Sequence, residues 1–170
     1  MKRILLLPVL ALAVAFGASA QKNATPDGAK RQFQVFGVAF YNLENLFDTI
    51  NNNGKYDAEF SPDGARQWNG RKYWSKISNL ARAITAFNTP TTPNGPAFIG
   101  VSEIENRSVL EDLVKAIDER LKSEGRAPWN LAIVHHDSPD RRGVDVGALY
   151  NPRYFKDPRR DDVIVGLAGP

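Results

Sequence analysis

Two short segments put carboxylates and carboxamides where an apolar strand gives out, which is where open α/β sheets hold their ligands. The first, Tyr41-Asn42-Leu43-Glu44-Asn45-Leu46-Phe47-Asp48, follows directly on an aromatic and β-branched run that begins at Phe33. If that strand continues into the segment, side chains alternate with period two and Asn42 and Glu44 point the same way. A carboxamide and a carboxylate on one face can bind a hard cation and orient a phosphate oxygen. The second segment, Val101-Ser102-Glu103-Ile104-Glu105-Asn106, is again a strand running into carboxylates. Magnesium favours one or two carboxylates, with water and substrate phosphate completing its octahedron. For either segment alone the plainer reading is solvated carboxylates and helix caps, because two-residue carboxylate patterns are weak motifs.

The elements that must carry these groups follow from periodicity. Residues 33–41 predict a strand. A polar stretch with the turn formers Asn51-Asn52-Asn53-Gly54 and Ser61-Pro62-Asp63-Gly64 comes next. From Tyr73, the apolar positions Ile77, Leu80, Ile84 and Phe87 recur at helical spacing, and Pro90, Pro93 and Pro96 make a stiff connector beyond. Ala97 to Val101 predicts a buried strand. A second helix carries Leu110, Leu113, Val114, Ile117 and Leu121 on one face, with Ser108 and Glu111 as its capping box and Gly125 at its C-terminal end. Strands are predicted at Trp129–His135 and Val144–Tyr150, joined through the turn around Ser138-Pro139-Asp140. The order strand, helix, strand, helix, strand, strand defines an α/β or mixed α+β sandwich.

The chain has 170 residues, 42% hydrophobic and 24% charged, without cysteine, which excludes collagen, low-complexity and disulfide-stapled classes. The length suits one domain with a real core. Met1-Lys2-Arg3, the apolar run Ile4 to Phe16 and Ala18-Ser19-Ala20 read as a signal peptide over 1–20, cleaved before Gln21. Residues 21–32 read as a flexible leader and 33–170 as the domain. Export to the periplasm or the exterior follows, with no stable membrane anchor after cleavage and no lipid attachment, for want of a cysteine. Without Lys2 and Arg3 the net charge falls from +3 to about +1, so overall charge gives no case for nucleic acid or membrane binding.

Three motifs occur in order: Phe40 to Asp48, Ile99 to Asn106, and Ser138-Pro139-Asp140-Arg141-Arg142-Gly143-Val144-Asp145-Val146. On these the chain resembles the endonuclease/exonuclease/phosphatase superfamily, with its deoxyribonuclease-I-like four-layer α/β sandwich, in an exported Bacteroidetes-type branch. The resemblance covers nearly all of residues 35–155. It implies phosphoester cleavage with a divalent metal, usually Mg2+, with Mn2+ or Ca2+ as alternatives. It further implies Glu103 as the principal metal ligand, Glu44 as a second acidic residue near the metal, and Asn42 as the catalytic group orienting the phosphate. Asp140 and Arg142 lie in the segment where a phosphate contact is expected. Ser102 stands where many members have glutamine. The family's Gly-Asp-Phe-Asn-like and Ser-Asp-His-like segments have no counterpart here, so the resemblance is to the N-terminal half of the fold, and the expectation is a truncated phosphodiesterase, active or inactive as it stands. A half-sandwich would also expose an apolar sheet face.

The expected partner is nucleic acid or another phosphodiester, with no obligate protein partner. The rivals are a phosphomonoesterase or phospholipase on the same fold and a non-catalytic exported binding module. His135 and His136 precede the Ser138 motif, the wrong place for the family's catalytic histidine, and read as structural hydrogen bonders. The stretch from Asn51 to Asp57 fails as a calcium loop, because its first and last ligand positions fall on Thr49 and Phe60. Trp68, Tyr73 and Trp74 beside Arg66, Arg71 and Lys72 can contact nucleic acid, but packing of the rings onto the sheet is the preferred reading.

Overall fold

The alternating apolar pattern from Val38 onward forms β1 (Val38–Leu46), and the helical repeat that follows forms α1 (Gly70–Thr85). Then come β2 (Phe98–Ile104), α2 (Arg107–Ser123), β3 (Ala132–His136) and β4 (Asp145–Tyr150). This is a computed structural model in which residues 34–50 and 58–155 are described. The signal peptide, the whole leader, Phe33, the Asn51–Asp57 stretch and residues 156–170 lie outside them.

The four strands form one sheet in the order β1-β2-β4-β3. β1 and β2 are parallel, and the chain between them makes the long crossover a parallel pair needs, through α1. β4 runs antiparallel to both β2 and β3, closing a hairpin over residues 137–144. The class is mixed α/β, as the periodicity predicts. Both helices lie on one face. Their stripes of Ile77, Leu80 and Ile84 and of Leu110, Leu113, Ile117 and Leu121 share a core with Leu43, Ile99, Val101, Ile104 and Leu149 of the sheet. Each such aliphatic side chain contributes roughly 1.5–3 kcal/mol by leaving water. Tyr73 ties the helices together by donating its hydroxyl to Asp112 Oδ2 at 2.7 Å.

On the other face Val38, Phe40, Val134 and Val146 are exposed, Phe40 at 81%. Phe40 lies over Gly100, where a Cβ would come within 2.6 Å of its ring. Among the described residues the fold therefore supplies two layers, helices and sheet, and a bare apolar sheet face.

The helix ends correct one expectation. α2 is capped by Asn106, whose Oδ1 accepts the Val109 N–H at 3.2 Å, and not by Ser108. Ser108 Oγ instead donates to Asn106 Oδ1, and Glu111 pairs with Arg107 one turn back. The reason is that β2 delivers Asn106 already in extended geometry (φ −159°), so the first side chain able to cap takes the position. The far end is as read: Gly125 adopts φ +71°, and the Gly125 and Arg126 N–H groups return to Lys122 O and Leu121 O. α1 begins at Gly70, earlier than its apolar repeat, because Asn69 caps it by accepting from Lys72 N–H.

Candidate active site

β1 and β2 are regular until each nears its C-terminal end. Asn42 pairs with Ser102 and the next partners are Leu46 and Ile104, so β1 advances four residues while β2 advances two. Against β4, Ser102 pairs with Val146 and Ile104 with Asp145, which leaves Glu103 as an extra residue on that side too. Glu44, Asn45 and Glu103 all adopt left-handed backbone, with φ of 53°, 57° and 57°. Such geometry costs a non-glycine residue about 1–2 kcal/mol, less for asparagine, and bulges of this kind re-aim side chains. The bulges on the two strands meet: the Asn45 N–H donates to Glu103 Oε2 at 3.2 Å. Glu44 and Asn42 are both exposed, and Asn42 Oδ1 accepts the Glu44 N–H at 2.7 Å, fixing the turn between them.

Lys76 reaches this point from α1. Its ammonium donates to the carbonyls of Glu44 and of Asn45, the latter at 3.3 Å. Burial pulls its pKa below the usual lysine value, while the charges of Glu44 and Glu103 act the other way. A positive group thus already lies in the field of both candidate ligands. No sequence motif singles out Lys76, which follows a helical apolar pattern; its role depends on where α1 packs.

A second layer of carboxylates supports the strand ends. Buried Glu105 accepts the Asp48 N–H through Oε2 at 2.7 Å, and Asp48 Oδ2 accepts from Asn106 Nδ2 at 3.0 Å. These bonds join the end of β1 to the loop that opens α2.

Beyond β4 the third motif folds back on itself. Asp140 accepts from Arg142 Nη2 at 2.8 Å and Nε at 3.2 Å, and from the Arg142 N–H at 2.8 Å. That carboxylate raises the guanidinium's pKa, and Glu103 adds to the effect, which puts Arg142 within electrostatic reach of Glu103. Asp140 thus engages Arg142 directly. Asp145, which the motif contains but sequence reasoning left without a role, is the buried anchor. Its Oδ1 accepts the Ser138 N–H at 2.8 Å and its Oδ2 lies 3.0 Å from His135 Nε2. His135 is the structural hydrogen bonder its position suggested. His135, Asp137 and Asp145 also offer three ligand atoms within 4.8 Å of one another, a possible cation-holding group.

The structure therefore brings Glu44, Glu103 and the Asn42 turn to one register position, with Arg142 within electrostatic reach of Glu103. Of the aromatic cluster, Tyr73 is buried in the core and Trp68 packs against it while donating to Phe47 O, whereas Trp74 is half-exposed. A parallel pair of strands ending in acidic bulges, backed by helices, defines an α/β protein with a strand-end polar site. The model of the Endonuclease/Exonuclease/phosphatase family matches residues 37–165, and the chain belongs to that family. Comparison with curated proteins and with solved structures gives no significant match.

Proposed function

We propose that the chain acts on phosphodiesters as an exported, divalent-metal-dependent hydrolase, endonuclease-like in substrate. The observation that carries this reading is the meeting of the two strand-end bulges, which turns Glu44 and Glu103 out of the sheet pattern at one place. The donor set fits a hard cation: it offers oxygen atoms only, from two carboxylates whose negative charges both reach the ammonium of Lys76. Mg2+ is the natural occupant, held by Glu103 and Glu44; when bound it supplies positive charge to the phosphate oxygens.

The chain's own groups do the rest of the positioning. Asn42, fixed by its bond to the Glu44 N–H, orients the phosphate. Arg142, splayed on Asp140, presents a planar cation to it. Lys76 holds the bulge that presents Glu44.

The test is Mg2+-dependent cleavage by the full chain on plasmid DNA, sphingomyelin and an inositol phosphate, side by side. Cleavage of DNA that is abolished in Glu103→Ala supports the reading. Full activity in that variant removes Glu103 from the site. Preference for sphingomyelin or the inositol phosphate moves the chain to the phospholipase or phosphomonoesterase branch, and metal-independent binding without hydrolysis makes it a binding module.

A further inference from the structure

We propose that His135, Asp137 and Asp145, on the β3–β4 hairpin, form a Zn2+ site separate from the strand-end site of Glu103 and Glu44. The pairing of the hairpin brings the three together. His135 and Asp137 are two residues apart, and His135 pairs across the hairpin with Gly147, two residues beyond Asp145. Gly147 has no side chain, so the imidazole meets its diagonal neighbour Asp145 in place of the residue opposite.

The spacing of the ligand atoms is what a small divalent ion requires. His135 Nε2 lies 3.0 Å from Asp145 Oδ2 and 3.8 Å from Asp137 Oδ1, and one atom from each residue falls within 4.8 Å of the others. Zinc bonds of about 2.0–2.2 Å to nitrogen and oxygen put neighbouring ligands of a tetrahedron about 3.3–3.6 Å apart. The two separations bracket that edge, so a small turn of the Asp137 side chain brings it onto the shell. Burial leaves that side chain the freedom to turn: it is 83% exposed, against 13% for His135 and 1% for Asp145. Two ligands are thus set in the fold and the third stands at the mouth, where an ion enters. The Ser138 N–H, from outside the triad, donates to Asp145 Oδ1 and fixes the carboxylate, as outer partners of metal ligands do. Asp145 meets the imidazole with its other oxygen, Oδ2.

The imidazole nitrogen distinguishes this group from a pair of surface acids and from the all-oxygen set of Glu103 and Glu44. Imidazole with carboxylates suits zinc, whereas oxygen alone suits magnesium. The two carboxylates also balance the charge of the ion. On binding, the lone pair of Nε2 goes to the zinc, and the proton shared between Nε2 and Oδ2 leaves to solvent. An ion held there would join Asp137, the first residue after β3, to Asp145 at the start of β4. It would brace the loop that carries the Asp140–Arg142 pair.

The experiment is titration of the full chain with Zn2+ against a chromophoric chelator, in excess Mg2+, followed by NMR of the histidine ring nitrogens. The chain has only two histidines and no cysteine, so the readout is simple. One Zn2+ per chain should bind and move the ring nitrogens of His135, but not those of His136, which is exposed and pairs with Val146. His135→Gln should weaken binding more than about 100-fold and Asp137→Asn about 10- to 100-fold, with His136→Gln and Glu103→Ala unchanged. Circular dichroism checks folding; Asp137 is exposed, so its variant decides the matter even where His135→Gln unfolds. Four results overturn the proposal: no zinc uptake, uptake that leaves the His135 ring unmoved, wild-type affinity in Asp137→Asn, or loss of binding in His136→Gln or Glu103→Ala.

Discussion

Replacing Lys76 with methionine isolates what holds the acidic bulge in place. The ammonium donates to two carbonyls, of Glu44 and Asn45, both in left-handed backbone. Hydrogen bonds from a charged donor contribute about 1.5–3 kcal/mol each. Two corrections reduce the sum: Lys76 is only half-buried, and methionine escapes the desolvation that lowers the lysine's pKa. A net loss of about 2 kcal/mol remains, comparable with the strain of one or two left-handed residues. For a chain of this size that lowers Tm by roughly 4–8 °C. The assay is urea unfolding of the full chain, with Lys72→Met as the control. Lys72 sits four residues earlier on the same helix, is exposed, and bonds a single carbonyl, so its loss should stay within about 0.5 kcal/mol. Lys76→Arg should recover part of the difference. Equal midpoints for Lys76→Met and Lys72→Met would refute the reasoning, because they would mean that the bulge keeps its shape without the ammonium.

Three further outcomes are expected. Burial and the bond to Asp112 raise the Tyr73 pKa far above its ordinary 10.0. Its contribution to stability is therefore complete below pH 10.0 and is lost as the unfolded chain ionises above it; the urea midpoint should fall between about pH 10 and about 11, less steeply in Tyr73→Phe, and an unchanged slope counts against the role. Asp145→Ala leaves the Ser138 N–H and His135 Nε2 without their acceptor, so stability should drop by about 2–4 kcal/mol and amide exchange in residues 137–144 should quicken; slow exchange there would show that the loop is held by something else. Expression in a secreting host, followed by N-terminal sequencing, should give a product that begins at Gln21, and a product beginning at Met1 would contradict both cleavage and export.

The order of elements was legible because it depends on periodicity, and the periods are strong: Ile77, Leu80 and Ile84 on α1, and Leu110, Leu113, Ile117 and Leu121 on α2, are all buried. The Asn106 cap was harder to place, because Ser108 and Glu111 form a valid local pattern and only the arrival of β2 in extended geometry decides between them. Lys76 and Asp145 were missed for a related reason. One is a cation on a helix whose partner carbonyls lie on another element, and the other is an acid inside an apolar run, Val144-Asp145-Val146, whose burial only the sheet reveals.

The bulges, by contrast, left a signal in the sequence that period-two reading passes over. Leu43 and Leu46 are both buried, as are Val101 and Ile104, and each pair is three residues apart. In a regular strand residues three apart face opposite sides, so two core residues at that spacing force one intervening residue out of register. Those intervening residues are Leu43-flanked Glu44 and Asn45 on one strand and Ser102 and Glu103 on the other. The apolar spacing that anchors the strand ends in the core is thus the same feature that ejects the acids from it. The core is then responsible for the site: shifting the second apolar anchor of β2, by exchanging Glu103 and Ile104, restores regular alternation and should remove the bulge. That exchange keeps composition and charge constant. It should abolish metal-dependent cleavage while the chain still folds, whereas retained cleavage would show that a carboxylate at the strand end suffices and the bulge is incidental.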